Sequence, residues 1–309
     1  MGQGMRYLLA MVGMMILSQA ANAQVSPQEV DAANRGIVTE QGRDAAWHYA
    51  QLKLLAGAIG ALKPQRSDVV DAYVIVAGLD SDPVFGREAA QTAKVLARRF
   101  DAVGRTIVLA AGSGAGDATI PDGSPANLEV ALGAIAAKMD LKEDVLVLYT
   151  TSHGAPQVGL SYRDGDHGFG WIGPRRLADL LNGAGISRRL IMLSACFSGE
   201  LLPYLVNDSS VVVTAADRDQ TSFGCAPGND WTFFGDALIN TALRSPQPFD
   251  AAIAQAFDLI RNWETSKRLP SSRPQFYAGS AANMWLQALE KRMPADATPR
   301  VGRPAIDSR

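Results

Sequence analysis

VLVLYTTSHG at residues 145–154 and RRLIMLSACFSG at residues 188–199 are the two stretches that decide the fold of this chain. Each contains a short apolar run, which is typical of a strand buried on both faces of a sheet. Each run gives way to small and polar residues, which mark the end of the strand. Functional side chains of open α/β sheets collect just beyond these carboxyl ends. The two stretches therefore predict neighbouring strands that carry reactive residues at one edge of a sheet.

Apolar runs of the same kind recur along the chain and alternate with amphipathic segments of helical length. The predicted strands cover residues 72–77, 106–110, 145–150, 189–193 and 210–214, with a shorter extended piece at 275–278. The predicted helices cover residues 87–100, 126–139, 174–182, 250–267 and 281–292. This alternation predicts an α/β fold with a mostly parallel sheet and helices on both of its faces.

The composition is that of a globular protein. Of the 309 residues, 47% are apolar and 19% are charged, so the chain can bury a sizeable core. Its formal net charge is -2, and it has no long runs of Lys or Arg. Such a balance gives no electrostatic basis for binding nucleic acid or an anionic membrane.

The N-terminus has the pattern of a secretory signal peptide. Arg6 supplies a positive charge, residues 7–17 are apolar, and residues 21–23 (Ala-Asn-Ala) fit a cleavage site. An uncleaved membrane anchor is the alternative, but the apolar run is shorter than the roughly 20 residues that a helix needs to span a bilayer. We therefore expect cleavage after Ala23, a periplasmic or secreted protein, and no stable association with a membrane.

His153 and Cys196 are the candidate catalytic residues. The chain has three histidines and two cysteines, and one of each follows a predicted strand. A thiolate can attack a carbonyl carbon, and a histidine can give a proton to the leaving amine near neutral pH. The backbone N–H groups of Gly154 and Cys196 can stabilise the oxyanion. A helix that begins just after Cys196 would lower the pKa of the thiol.

Alternative interpretations of these residues are structural. In an oxidising compartment, Cys196 and Cys225 can pair as a disulfide, and Cys196 alone can be a small buried apolar residue. His153 can be a capping or core histidine. A domain of this size does not need a single disulfide, and the strand-end position of Cys196 favours a reactive thiol.

The paired stretches resemble the signature of the legumain family (peptidase family C13), in which one strand ends in His-Gly and the next in Ala-Cys-x-Ser-Gly. Caspases and gingipains share this arrangement more distantly. AYVIVAG at residues 72–78 followed by Arg87, and TAADRDQTSFGC at residues 214–225, are also similar to the family. The resemblance covers roughly residues 70–240 and implies a caspase-like fold.

The resemblance implies an activity and a set of site residues. It implies a cysteine endopeptidase with His153 and Cys196 as a catalytic dyad, no cofactor or metal, and a peptide or protein as substrate. It places three residues in the pocket for the side chain before the scissile bond, namely Arg87, Ser222 and Asp236. An arginine and an aspartate together suit a carboxamide, so cleavage after Asn is expected.

Ser194 stands where the family pocket has an acidic residue, so cleavage after Asp is also expected. Two other functions stay open at this point. A transamidase or ligase of the same family would resolve the thioester with an amine. An exported binding protein would keep the fold without catalysis, with Cys196 and Cys225 joined as a disulfide.

The resemblance also suggests how the chain is divided. Residues 24–67 are a helical lead-in or pro-segment, with helical spacing over residues 27–63 that ends at Pro64. Residues 68–293 are the expected caspase-like catalytic domain. Residues 294–309 are rich in Pro, Ala, Asp and Arg without apolar periodicity, which predicts a disordered tail.

Two glycine-rich stretches have simpler explanations than a ligand site. Residues 112–116 follow a predicted strand but fit neither the dinucleotide pattern nor the P-loop pattern, so we expect a surface loop. Asp164, Asp166 and His167 lie in RDGDHGFG, where a hairpin turn explains the glycines better than a metal site. His48 is expected to be a structural or surface residue of the lead-in.

Overall fold

The structure is a computed structural model that describes residues 25–112 and 119–307. The strands are β1 (Val38–Glu40), β2 (Ala72–Gly78), β3 (Thr106–Ala110), β4 (Val145–Thr151), β5 (Gly154–Ala155), β6 (Gly159–Asp164), β7 (Gly168–Ile172), β8 (Arg189–Ser194), β9 (Ser210–Thr214) and β10 (Gln275–Ala278). The α-helices are α1 (Pro27–Arg35), α2 (Ala45–Gly60), α3 (Pro83–Arg99), α4 (Pro125–Ala136), α5 (Pro174–Gly183), α6 (Leu202–Leu205), α7 (Phe249–Lys267) and α8 (Ala282–Glu290). A π-helix spans Gly235–Thr241.

The main sheet has six strands in the order β10-β9-β8-β4-β2-β3. All neighbours are parallel except β10, which runs antiparallel to β9 at one edge. The five predicted parallel strands and the extended piece at residues 275–278 are therefore confirmed. Because the parallel strands end at the same edge, the loops that follow β2, β4 and β8 lie side by side.

Both faces of the sheet are buried, as the continuous apolar runs predicted. Alternate residues of β4 point to opposite sides because side chains in a strand alternate with a period of two. Val147 and Tyr149 pack in the core that contains α3, α7 and α8, whereas Leu146 and Leu148 pack with α4 and α5. The predicted arrangement of helices on both faces is confirmed.

The lead-in is not helical throughout, and the prediction of a helix over residues 27–63 is wrong in its middle. Gly36 adopts a left-handed conformation with φ of 71° and ends α1. The residues after it, Ile37, Val38 and Thr39, are β-branched and favour a strand. Strand β1 forms there and pairs with β7, so the lead-in is joined to the rest of the fold by a sheet.

The segment RDGDHGFG forms a hairpin turn, as predicted. Strands β6 and β7 pair antiparallel on either side of it, and β5 and β1 complete a small four-stranded sheet. Asp164 pairs with Arg43, and His167 Nδ1 lies 3.1 Å from the carbonyl oxygen of Gln41. These contacts join the hairpin to the lead-in.

The C-terminal tail is ordered as far as residue 307, so the prediction of a disordered tail is wrong. Arg300 pairs with Asp236 at 2.9 Å, and the carbonyl oxygen of Val301 accepts a hydrogen bond from the indole N–H of Trp231 at 2.8 Å. The backbone N–H of Ala305 donates to Asp236 at 2.7 Å, and Ala305 is buried. Polar contacts to buried groups hold the tail in place, so its order does not require apolar periodicity.

Two sequence predictions lie outside the described residues. The signal peptide at residues 1–23 is one, and most of the glycine-rich loop at residues 112–116 is the other. Within residues 25–112 and 119–307, no helix has the length and apolar character needed to cross a membrane.

Removal of the Asp236 carboxylate tests how the tail is held. Asp236→Ala leaves Arg300, Asn240 and the Ala305 N–H without their shared acceptor, and we expect it to lower the free energy of unfolding by about 3 kcal/mol. Asp307→Ala, an exposed change on the same tail, is the control and should stay within about 0.5 kcal/mol of wild type. Chemical denaturation measures both variants. Equal stabilities of the two would contradict the proposed anchoring.

Candidate active site

The register of β4 and β8 brings His153 and Cys196 to the same edge of the sheet. Thr151 lies directly opposite Ser194 in the parallel pair, and each catalytic candidate follows two residues later. The backbone N–H of Ser152 donates to the carbonyl oxygen of Ser194 at 3.1 Å, which continues the pairing past the last strand residues. The sequence prediction that these strand ends are neighbours is therefore confirmed.

Gly154 lies against the backbone of Cys196. A Cβ atom at this position would overlap the carbonyl oxygen of Cys196, so a residue with a side chain does not fit without a shift of the backbone. The glycine of the His-Gly pair therefore has a steric role, because it allows the two loops to approach each other closely.

Hydrogen bonds to the sulfur stabilise the thiolate form of Cys196. The Cys225 thiol donates to the Cys196 sulfur, and this bond, together with donors of Ser222 and the charge of His153, lowers the pKa of Cys196 in spite of its burial. The backbone N–H of Ser222 lies 3.3 Å from Sγ, and the Ser222 hydroxyl lies 3.6 Å from it. The contact with Cys196 and burial raise the pKa of Cys225 well above its ordinary value, so Cys225 keeps its proton.

The segment after Cys196 differs from the helix that was expected to begin there. A three-residue 3₁₀ turn, Ser198–Glu200, is followed by the four-residue helix α6. Phe197 between Cys196 and this turn has a left-handed φ of 57°. Such short elements carry little of the macrodipole of a full helix. Hydrogen bonds, not a helix dipole, therefore account for the lowered pKa of Cys196.

The His153 ring is held on two sides. Its Nε2 atom lies 3.1 Å from Oδ2 of Asp82, the residue just before α3. Phe85 from the first turn of α3 meets the imidazole edge to face, with ring centres 4.9 Å apart. The His153 side chain remains 41% exposed, so a substrate or water can reach it.

Asp82 is itself part of a charged group at the ends of β2 and β6. Arg163 donates to Oδ1 of Asp82 at 2.5 Å and to both oxygens of Asp80 at 3.0 and 3.2 Å. Burial opposes the ionisation of Asp82, but hydrogen bonds and charges from His153 and Arg163 outweigh it and lower the pKa of this carboxyl. Asp82 is therefore an anion over the physiological pH range.

Asp80, Asp82 and His153 place potential metal-ligand atoms within 4.8 Å of one another. The guanidinium of Arg163 already lies against both carboxylates and forms an ion pair with each of them. These three residues therefore form an ion-pair network with Arg163 and are interpreted as such, not as a metal centre.

The predicted pocket residues do not all come together. Ser222 lies beside the Cys196 sulfur. Ser194 is buried, and its hydroxyl lies 3.0 Å from the hydroxyl of Thr232. Arg87 donates to the carbonyl oxygens of Pro227 and Asn229, so much of its guanidinium holds the loop after Cys225.

Asp236 is not part of a substrate pocket, and its predicted role is wrong. Its side chain is fully buried, and its oxygens accept hydrogen bonds from Arg300, Asn240 and the N–H of Ala305. Asp230, which the sequence analysis passed over, is the acidic residue that pairs with Arg87, at 3.4 Å. Both side chains of that pair are 36% exposed, so they remain accessible to a ligand.

Sequence reasoning also missed Asp80, Asp82 and Arg163. The two aspartates directly follow β2, a strand that neighbours β4 in the sheet. The rule that functional residues collect beyond strand ends therefore applied to them as well. Arg163 gave no such signal, because its position depends on the antiparallel strand β6 folding back over the site.

A family model, the Peptidase C13 family, matches residues 127–289, which is more than half of the chain. The chain belongs to the peptidase C13 family. The matched region contains β4, β8 and β9, and with them His153 and Cys196. The membership expected from the two strand-end signatures is confirmed, and it is membership of a family of cysteine peptidases.

Comparison with solved structures finds caspases. Caspase-1 from Spodoptera frugiperda aligns with 11% identity and a TM-score of 0.43, over 71% of this chain and 93% of that chain. The structure titled drICE aligns with 11% identity and a TM-score of 0.42, over 68% and 87% of the two chains. No curated protein sequence matches this chain.

The hydrogen bond from Cys225 can be tested through the reactivity of Cys196. Cys225→Ala removes the donor, so the pKa of Cys196 should rise and its alkylation by iodoacetamide should shift to higher pH by about one unit. Cys225→Ser keeps a hydroxyl donor and should shift the profile less. Mass spectrometry of the modified Cys196 peptide measures both profiles. An unshifted profile in Cys225→Ala would show that the thiol contact does not stabilise the thiolate.

Proposed function

We propose that this protein is a cysteine endopeptidase that hydrolyses peptide bonds with Cys196 as nucleophile and His153 as general acid and base. The observation that carries the proposal is the pairing of β4 with β8, which places both residues two positions beyond opposed strand ends. Membership of the peptidase C13 family and the lowered pKa of Cys196 support the same chemistry.

In the proposed reaction, the Cys196 thiolate attacks the carbonyl carbon of the scissile peptide and forms a C–S bond. The negative charge moves to the carbonyl oxygen, where the N–H groups of Cys196 and Gly154 stabilise it. His153 gives its proton to the departing amine as the C–N bond breaks, which leaves a thioester. Water then attacks the thioester, His153 takes a proton from that water, and the acid product leaves Cys196.

Hydrolysis is proposed over transfer to an amine because the site is open to water. The His153 side chain is 41% exposed, so water can reach the imidazole that would activate it for attack on the thioester. Both cysteines are free thiols, which is the state that nucleophilic catalysis by Cys196 requires.

Replacement of either member of the dyad tests the reaction. Cys196→Ala and His153→Ala should each lower kcat/KM on a cleaved library peptide by at least about a thousandfold, because each removes a group that takes part in bond breaking. His167→Ala, an exposed histidine on the hairpin, is the matched control and should keep wild-type activity. A near-normal rate for Cys196→Ala or His153→Ala would overturn the dyad.

For specificity we propose cleavage after Asn, with Asp as the second preference. Arg87 can donate to the side-chain oxygen of either residue, whereas Asp230 can only accept and so favours the N–H₂ group of Asn. This half-exposed pair takes the place of the Arg87 and Asp236 pair expected from the sequence. Ser222 lies beside the nucleophile, where its hydroxyl group could contact the substrate next to the scissile bond.

Asp230→Asn should lower the ratio of kcat/KM for Asn over Asp peptides by about tenfold, since a hydrogen bond to a charged group contributes about 1.5–3 kcal/mol. The measurement uses two peptides that differ only in that residue. The comparison variant is Asp258→Asn, an exposed carboxylate on α7. A ratio that stays at the wild-type value in Asp230→Asn would exclude this pocket.

A further inference from the structure

We propose that Asp82 is a positioning residue for His153 and that Arg163 and Asp80 hold Asp82 in place for this role. The inference rests on the proposed function, because it concerns the histidine of the dyad. It assigns a third side chain to the catalytic machinery, from a strand end that the sequence analysis did not consider.

The contact between Asp82 and His153 determines which ring nitrogen is available. Nε2 lies 3.1 Å from Oδ2 of Asp82, so in the neutral ring Nε2 carries the hydrogen and donates it to the carboxylate. Nδ1 is then the nitrogen that exchanges a proton with Cys196, the leaving amine or water. The edge-to-face contact with Phe85 restricts rotation of the ring about this hydrogen bond.

Asp82 is free to serve His153 because helix α3 does not use it. Asp82 precedes the first residue of α3, where an aspartate commonly caps the helix, yet its side chain makes no capping hydrogen bond. One carboxylate oxygen faces His153, and the other faces Arg163. The carboxylate is therefore turned away from the helix and toward the imidazole.

Arg163 and Asp80 form the support behind Asp82. Arg163 on β6 contacts Asp80 through Nε and Nη2, which is a two-point contact that fixes the plane of the guanidinium. Asp80 is buried, and its Oδ1 also accepts the backbone N–H of Asp82 at 2.9 Å. Asp80, a buried carboxylate after β2, thus holds Asp82, which in turn holds the imidazole of His153.

Titratable and charged groups approach the His153 ring from several elements of the fold. Asp82, from the loop before α3, lies against Nε2 of His153, and Cys196, after β8, interacts with His153 through its charge. Cys225 forms a hydrogen bond with the Cys196 sulfur. Arg163 from β6 and Asp80 from the end of β2 lie behind Asp82. With His153 protonated, the two carboxylates are balanced by two cations. In the proposed reaction, the imidazolium that gives its proton to the leaving amine would be the second of these cations.

The test is the titration of the His153 ring, followed by NMR in the full-length protein. The chain has three histidines, so the His153 resonances can be assigned from the spectrum of His153→Ala. In Asp82→Asn we expect the midpoint of this titration to fall by about one pH unit, because the neighbouring negative charge is lost. Asp258→Asn is the control and should leave the midpoint unchanged.

Kinetics add a readout that a purely structural role would not change. Asp82→Asn should lower kcat by about 10- to 100-fold with little change in KM, and the alkaline limb of its pH profile should move down with the titration midpoint. Asp82→Glu keeps the charge on a longer side chain, so it should keep the midpoint and lose about fivefold or more in kcat.

The outcomes separate this proposal from the proposed function. A midpoint in folded Asp82→Asn equal to that in Asp258→Asn overturns the role of Asp82, whatever the activity. If Asp82→Asn does not fold, Asp82→Glu decides, and a wild-type kcat in that variant overturns the proposal. A wild-type protein that cleaves no library peptide contradicts the proposed function, while the titration shift still decides whether Asp82 sets the state of His153.

Discussion

The parallel pairing of β4 with β8 is the constraint on which the site depends. Backbone hydrogen bonds fix the register, and Thr151 opposite Ser194 brings the residues two positions later to the same edge of the sheet. Both strands are buried on both faces, so a slip of one residue would turn apolar side chains toward the wrong core. The register of this pair therefore determines which residues of the two loops reach the edge of the sheet at the same level.

Sequence reasoning predicted the parts of the molecule that local pattern determines. Buried strands such as β4 and β8 are continuous apolar runs, and the residues after them stand at the edge of the sheet by geometry alone. His153 and Cys196 were found in this way. The same argument applies to Asp82, because it follows β2. However, an aspartate directly before a proline at the start of a helix is typical of a capping residue.

Other parts of the site depend on contacts between residues far apart in sequence, and no local pattern carries them. The role of Asp236 was assigned from resemblance, whereas its burial depends on Arg300 and Ala305, in a tail with no apolar periodicity. Arg87 engages carbonyl groups about 140 residues away, so its exposed partner, Asp230, could not be identified from spacing. Polar contacts of this kind become visible only once the sheet has brought the loops together.

The two members of the proposed dyad are supported by different parts of the chain, and this separation matters for how they can work. Donors from the loop after β9 stabilise the negative charge on Cys196, whereas Asp82, after β2, contacts the imidazole of His153. An ion pair at a half-exposed site gains little from its own attraction, because water screens it. Separate supports therefore hold the sulfur and the imidazole individually. Loss of the support on one side leaves the support on the other side in place.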